Sequence, residues 1–476
     1  MSYRWFVFAA LVFIQSTVVA ADDGREQEAA STRPNVILIM ADDLGYGDVG
    51  FTGNQKIRTP SIDSLAAEGV VMNRFYTSAS ICSPSRAAAL TGRHHYRSGV
   101  LAAHTAGLRI GEVTIPEVLQ KHGYVTGFFG KWHLGWIRPD ETSSRGYYSP
   151  PWFHGFDITF ATKSAVPTWD PNVAPVDIWG HKKGEKWHPE SPYLLNGEPV
   201  TENISGDDSR VIMDRVIPFV RDQVRQGNPF AAVVWFHTPH DPVVAGPEYL
   251  ALYESLPELK QRHLYGAITA MDEQIGRLRA ELEELSVDRN TILFFTSDNG
   301  TADRATRDGI ASAGPFRGHK HTHYEGGMRV PSVIAWPGQL EPSRSNYMSG
   351  LVDYFPTVMD MLGIDPAKQL GQRPMDGLSL YPQLKGEAAG ERPGYLTAGY
   401  MRLVREDNGI ALIQNRYKLM RSNHGSDFEL YDLENDPAET TDLAAQMPER
   451  VDEMAAELDT WMASAMHSLK GGDYTY

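Results

Sequence analysis

Asn35-Val36-Ile37-Leu38-Ile39-Met40-Ala41-Asp42-Asp43 places an unbroken apolar stretch directly before two carboxylates. A strand with one wet face alternates apolar and polar residues. An unbroken run marks a strand covered on both faces, as in a parallel sheet packed between helices. The pattern recurs. Thr291-Ile292-Leu293-Phe294-Phe295 ends in Thr296-Ser297-Asp298-Asn299-Gly300, Tyr124-Val125-Thr126-Gly127-Phe128-Phe129 in Gly130-Lys131-Trp132-His133, and Phe230-Ala231-Ala232-Val233-Val234-Trp235-Phe236 in His237-Thr238-Pro239-His240. Helical periodicity lies between the runs, over Ser61 to Glu68, Ile115 to His122, Ser209 to Gln226 and Tyr265 to Leu285. Strands alternating with helices predict an α/β fold, a mainly parallel sheet flanked by helices. Such sheets collect functional groups at the carboxyl ends of their strands, and all four runs end in polar residues.

The next informative stretch is Cys82-Ser83-Pro84-Ser85-Arg86-Ala87-Ala88-Ala89-Leu90-Thr91-Gly92. Pro84 suits a first helical turn, Ala87 to Leu90 are good helix formers, and Gly92 is a natural stop. Cys82 is then expected at a helix N-terminus, where free N–H groups favour an anion. Arg86, four residues on, reaches the same face. Cys82 is the only cysteine, so it has no disulfide partner within the chain. A lone buried cysteine acting as a small hydrophobe is the plain alternative.

The stretch resembles the signature of the formylglycine-dependent sulfatases of the alkaline phosphatase superfamily, Cys-X-Pro-X-Arg followed by Thr-Gly-Arg, here Thr91-Gly92-Arg93. The resemblance, of the arylsulfatase and N-acetylgalactosamine-6-sulfatase type, runs from Asn35 nearly to the C-terminus. It includes Glu429-Leu430-Tyr431-Asp432-Leu433 and Asp436-Pro437-Ala438-Glu439. It implies an alkaline-phosphatase-like fold and oxidation of Cys82 to Cα-formylglycine (3-oxoalanine) by a maturation enzyme. The hydrate of that aldehyde is the family's nucleophile.

Asp42, Asp43, Asp298 and Asn299 are oxygen donors, which suit Ca²⁺ or Mg²⁺ rather than zinc. In the family these positions, with residue 82, hold one divalent cation, commonly Ca²⁺. Lys131 and His133 match a motif that orients the nucleophile and binds sulfate. His240 and Lys320 match positions that contact the sulfate or the leaving oxygen. Thr162 stands where members often carry a sulfate-contacting serine after the Gly155-Phe156-Asp157 motif. The catalytic set implied is therefore Cys82, Arg86, Lys131, His133, His240 and Lys320, with Lys131, His240, Lys320 and Thr162 binding substrate. His237 reads as structural support. His319, His321 and His323 read as pocket loop rather than as a zinc site.

The implied chemistry is hydrolysis of a sulfate ester. Arg86, Lys131, Lys320 and the cation offset charge on the sulfate and the bridging oxygen. Asp298 takes the nucleophile's proton, and His240 or Lys320 protonates the leaving alcohol. His133 then removes the second hydroxyl proton, and sulfate departs. A phosphomonoester or phosphonate hydrolase of the same superfamily is the enzymatic alternative, and an inactive glycan-binding homologue the non-enzymatic one.

Residues 1–21 read as a signal peptide, with Arg4 before the short apolar run Trp5 to Ile14 and small residues at Val18-Val19-Ala20-Ala21. That run is too short for a stable membrane span. Export to the periplasm or beyond, or a lysosomal route, is expected. Residues 22–33 form a polar lead-in, 34–365 the catalytic domain, and 366–476 a smaller α+β domain with a helix over Glu449 to His467. The net charge is -16 and no basic run stands out, which excludes a nucleic-acid partner. Residues 136–206, with Trp136, Trp152, Trp169, Trp179 and Trp187, read as long loops that select substrate. Aromatic rings there favour a sulfated carbohydrate over a small aryl sulfate.

Overall fold

The computed structural model describes residues 33–104, 106–139, 147–173, 192–388, 390–403, 406–423 and 425–474. The signal-peptide reading, Trp179 and Trp187 lie outside the described residues. Five parallel strands form the centre of a ten-stranded sheet: β1 (Asn35–Ala41), β2 (Val125–Lys131), β3 (Ile158–Thr162), β4 (Phe230–Trp235) and β5 (Thr291–Ser297), in the order β5-β1-β4-β2-β3.

The unbroken apolar runs divide by pleat. Ile37, Ile39, Ala232, Val234, Leu293 and Phe295 join one core. Val36, Leu38, Met40, Ala231, Val233, Ile292 and Phe294 join the other. Alternate residues thus enter opposite cores, which is why neither face could tolerate a polar residue. The first core is closed by Pro60–Glu68, α2 (Asp208–Arg225) and α3 (Leu259–Glu284); the second includes Ala87, Ala89 and Leu90 of α1 (Cys82–Thr91).

The sheet is mixed at its margins. Val333–Ala335 runs antiparallel to β5, and Leu194–Leu195 antiparallel to β3. The stretch 136–206 is not loop throughout, because β3 lies inside it and pairs with β2 from Gly127↔Ile158 to Lys131↔Thr162.

A second sheet follows: β6 (Leu396–Leu403), β7 (Glu406–Gln414), β8 (Tyr417–Arg421) and β9 (Glu429–Asp432), antiparallel in sequence order. On one face Ile410, Leu412, Leu419 and Leu430 pack with Met454, Leu458 and Trp461 of α4 (Pro448–Leu469). On the other, Ala411, Ile413, Met420 and Tyr431 pack with Tyr76, Ala88 and Val352. The smaller sheet therefore rests on the far side of the helix that begins at Cys82. Lys418 crosses this contact, bonding Glu325 at 3.2 Å and Glu439 at 2.6 Å with all three side chains buried. Among the described residues no helix is long and apolar enough to cross a membrane.

Candidate active site

The carboxyl ends of β1, β2, β4 and β5 converge on the start of α1. Register aligns them: Ala41 faces Ser297, Met40 faces Trp235, and Gly130 faces Trp235. The next residues on each chain, Asp42-Asp43, Asp298-Asn299, Lys131 and the His237–His240 turn, therefore share one level. Gly130 permits the close approach of β2 and β4. Its φ is +108°, and a Cβ there would lie 1.9 Å from the Trp235 carbonyl oxygen.

Helix α1 starts at Cys82 with Ile81 as N-cap, and Gly92 closes it at φ +68°, donating its N–H to the Ala88 carbonyl. All ten residues of the helix are buried. Burial pushes the Cys82 thiol up to about 11, against the pull of Lys131 and Lys320. Arg86 reaches back from the second turn. Its Nε and Nη2 donate to Asp298 Oδ2 at 2.9 and 2.7 Å, its Nη1 donates to the Lys131 carbonyl at 3.0 Å, and its guanidinium lies 5.1 Å from the Trp235 ring centre.

Three buried cations are matched by three buried carboxylates. Arg86 pairs with Asp298, Lys131 Nζ with Asp42 Oδ2 at 2.5 Å, and Lys320 Nζ with both oxygens of Asp43 at 2.7 and 2.8 Å. Burial raises Asp42, but Lys131, then His240 and Arg86, outweigh it and hold this carboxyl well below the usual range. Burial would lower Lys320; Asp43 reverses that and raises it. Asp298 is pushed up to about 7 by burial and by Asp42 beside it. Asp43, at φ +67°, donates its N–H to Asp298 Oδ1 and accepts from Asn299 Nδ2 at 2.7 Å.

Two histidines of the cleft, His240 and His133, are uncharged at neutral pH. Burial, then Lys131, lowers His240 to about 4, so its 3.8 Å approach to Asp43 is a neutral contact. Burial, then Lys131 and His104, holds His133 well below 6.5, and its Nδ1 is buried without a hydrogen-bond partner.

One ligand atom each from Asp42, Asp43, Cys82 and His240 falls within 4.8 Å of the others. Asp42 Oδ1 and Asn299 Oδ1 are buried with no hydrogen-bond partner. Orphaned oxygens beside three crowded carboxylates are the surroundings a hard divalent cation fits. The structure adds His240 to the edge of this group, whereas both Asp298 oxygens already accept hydrogen bonds.

Thr162 stands apart from the open cleft. It is 1% exposed; its hydroxyl donates to the Ser164 carbonyl at 2.9 Å and lies 2.7 Å from His237 Nε2. His319, His321 and His323 do not gather. His319 Nε2 lies 3.2 Å from Asp303, and His323 stacks on Tyr400. Among the loop tryptophans, Trp136 borders the cleft, where it, His104, His133 and Lys163 line one recess and Lys163 Nζ sits 3.8 Å from its ring centre. Trp152 instead packs on the core, and Trp169 covers Gly246. Sequence reasoning missed His104, whose Nε2 is 3.2 Å from His133 Nε2, and Tyr400, which β6 brings into one small apolar cluster with Ile81, Cys82 and Ala102. A single histidine and a single tyrosine carry no spacing signal.

The sulfatase family model matches residues 34–364. The chain belongs to the sulfatase family. A second model, the C-terminal region of N-sulphoglucosamine sulphohydrolase, matches residues 317–467 of this sulfatase. Its relatives include human N-acetylgalactosamine-6-sulfatase, 33% identical over 394 residues, covering 79% of this chain and 70% of that protein. Bovine arylsulfatase A is 31% identical over 479 residues, covering 90% of this chain and 86% of that one. Among solved structures, Ps i-CgsB in complex with k-i-k-neocarrahexaose superposes with a TM-score of 0.78 at 26% identity, covering 91% of this chain and 93% of that chain. The chain is thus a sulfuric ester hydrolase with an alkaline-phosphatase-like fold.

Proposed function

We propose that this sulfatase removes sulfate from a sulfated carbohydrate, with residue 82 converted to Cα-formylglycine by a maturation enzyme and one divalent cation, Ca²⁺ or Mg²⁺, at Asp42, Asp43, Asp298 and Asn299. The observation that carries the proposal is the sole cysteine, buried at the start of α1 with its thiol pushed up to about 11 among Arg86, Lys131 and Lys320. A thiol that stays protonated among three cations is a poor nucleophile. Formylglycine supplies instead an aldehyde hydrate, and the cation supplies fixed positive charge facing the sulfate.

The chain's own residues do the rest. Arg86, Lys131 and Lys320 already neutralise three carboxylates, so they are held in place before substrate arrives and need little reorganisation. Asp298, held by Arg86 beside the start of α1, is placed to accept a proton from the nucleophile at residue 82. Lys320 stays protonated and His240 is neutral, so Lys320 supplies standing positive charge and a hydrogen bond to the leaving oxygen, whose proton comes from Lys320 or His240. Neutral His133, with a free Nδ1, accepts the later proton.

A carbohydrate substrate is supported by the recess of Trp136, His104 and Lys163 beside His133 and by relatives named for a sulfated amino sugar. The reading of residues 1–21 as a signal peptide makes the enzyme an exported one, which N-terminal sequencing of the mature protein tests. The deciding experiment pairs peptide mass spectrometry of residue 82 with sulfate release from a sulfated-saccharide panel. A fully active enzyme with an unmodified thiol refutes the nucleophile. A panel on which no saccharide exceeds nitrophenyl sulfate refutes the substrate class.

A further inference from the structure

Behind the cleft, four polar side chains from separate elements join where no solvent reaches. The Tyr193 hydroxyl donates to Asp208 Oδ1 at 2.5 Å, Asp208 Oδ2 lies 2.7 Å from His237 Nδ1, and His237 Nε2 lies 2.7 Å from Thr162 Oγ1. Tyr193, Asp208 and His237 are 0% exposed and Thr162 is 1% exposed. Threonine, histidine and aspartate in this order look like a hydrolytic triad. Burial of Thr162, and the donation of its proton to the Ser164 carbonyl, exclude attack on a substrate.

Thr162 and His237 are each tied to catalytic backbone. Thr162 is the last residue of β3 and faces Lys131 in register. Its carbonyl accepts the Trp132 N–H at 2.9 Å, and the next carbonyl, Lys163, accepts the His133 N–H at 3.0 Å. His237 leads the turn on the other side, where its own carbonyl accepts the His240 N–H at 2.7 Å and the Thr238 carbonyl accepts the Asp42 N–H at 3.0 Å. Asp208, the first residue of α2, anchors the imidazole to the helix that covers this face of the sheet.

We propose that His237, held by Asp208, is a positioning residue: its imidazole is a strut that fixes the spacing between the Lys131–His133 segment and the Asp42–His240 segment on either side of the bound sulfate. The strut touches neither sulfate nor nucleophile. It acts through Thr162 and the backbone, so its loss shifts residues that must lie within a fraction of an ångström of their places. A displacement near 1 Å costs about 10²-fold in rate. The proposal rests on the sulfatase activity only for its assay, so an inactive wild-type enzyme refutes the function and leaves the strut to be judged by structure.

The test compares Thr162→Val, Asp208→Asn, the double variant and Thr162→Ser, with kcat and KM for nitrophenyl sulfate and Tm measured on each. Valine keeps the shape of threonine and removes only the hydroxyl. Thr162→Val and Asp208→Asn should each lower kcat by about 10²-fold with KM changed far less, because the spacing matters most in the transition state. The double variant should be no worse than the poorer single, since both cut one chain of bonds. Thr162→Ser should recover most of the loss. A Thr162→Val enzyme with a lowered Tm but wild-type kcat would reduce the cluster to a structural role. Losses that multiply in the double variant would mean that Thr162 meets substrate directly. If Asp208→Asn does not fold, the Thr162→Val and Thr162→Ser pair decides alone.

Discussion

Gly130→Ala tests how tightly the sheet sets the cleft. A Cβ at this position would fall 1.9 Å from the Trp235 carbonyl oxygen, and real Cβ contacts stay beyond 3.0 Å, so β2 and β4 must separate locally by about 1.1 Å. Alanine at φ +108° also adds strain of about 1–3 kcal/mol. The neighbour that moves is Lys131, whose Nζ sits 2.5 Å from Asp42 Oδ2. A shift of that size predicts a loss of about 10²-fold in kcat/KM together with a lower Tm. Gly227→Ala is the control. Gly227 has φ +70° with nothing within 4 Å of its Cβ, so it carries backbone strain of about 1–2 kcal/mol without a collision. Its Tm should fall modestly while kcat/KM holds. The assay is nitrophenyl sulfate turnover per folded molecule, with folded fraction taken from thermal unfolding. A Gly130→Ala enzyme within threefold of wild type would refute the idea that strand spacing governs Lys131.

Asp42→Ala should abolish bound divalent cation by elemental analysis and nearly all turnover; retention of stoichiometric metal would remove Asp42 from the site. Lys418→Met leaves Glu325 and Glu439 buried together and should cost about 3–5 kcal/mol, read as a clear drop in Tm; an unchanged Tm would deny Lys418 its role between the two sheets. Asp207 is pushed up to about 8 by burial and by Asp208, so its contribution is fully present below the ordinary value of 3.8 and is lost as pH rises through 8. Asp207→Asn should therefore gain over wild type by up to about 1 kcal/mol per pH unit across that window, and a Tm difference independent of pH would contradict it. Trp136→Ala should lower kcat/KM for a sulfated oligosaccharide about tenfold, within the range of one stacked ring, and spare nitrophenyl sulfate; equal effects on both would deny it a sugar contact.

The centre of the sheet was legible because its strands are long and apolar on both faces. Val36 to Met40 could belong nowhere else, and the residues after Met40, Phe129, Trp235 and Phe295 point to one cleft. The margins were not legible. Val70–Met72 and Val333–Ala335 are three residues each, too short for any period. Ile158–Thr162 was hidden among glycine, proline and tryptophan, where composition spoke for loop. Within the site, Cys82 and Arg86 were readable because helix geometry brings residues four apart together. The partner of His237 was not, since Asp208 lies 29 residues away on a different element. Thr162 was expected to face substrate, yet its hydroxyl turns inward to His237, a choice made by β3 packing that no local pattern records. Tyr400 joins the cluster around Cys82 only because the smaller sheet folds back over α1.

The buried start of α1 gives the protein an internal gauge. The chain holds one thiol, and Cys82 is 2% exposed with its thiol pushed up to about 11, so a thiol-specific reagent reacts slowly with the native enzyme. The labelling rate of any unconverted fraction therefore reports how readily a small reagent reaches residue 82 at the floor of the cleft. After full denaturation the same reagent counts every remaining sulfhydryl. That single titration measures how many molecules in a preparation still carry cysteine, so specific activity can be expressed per converted chain without a digest.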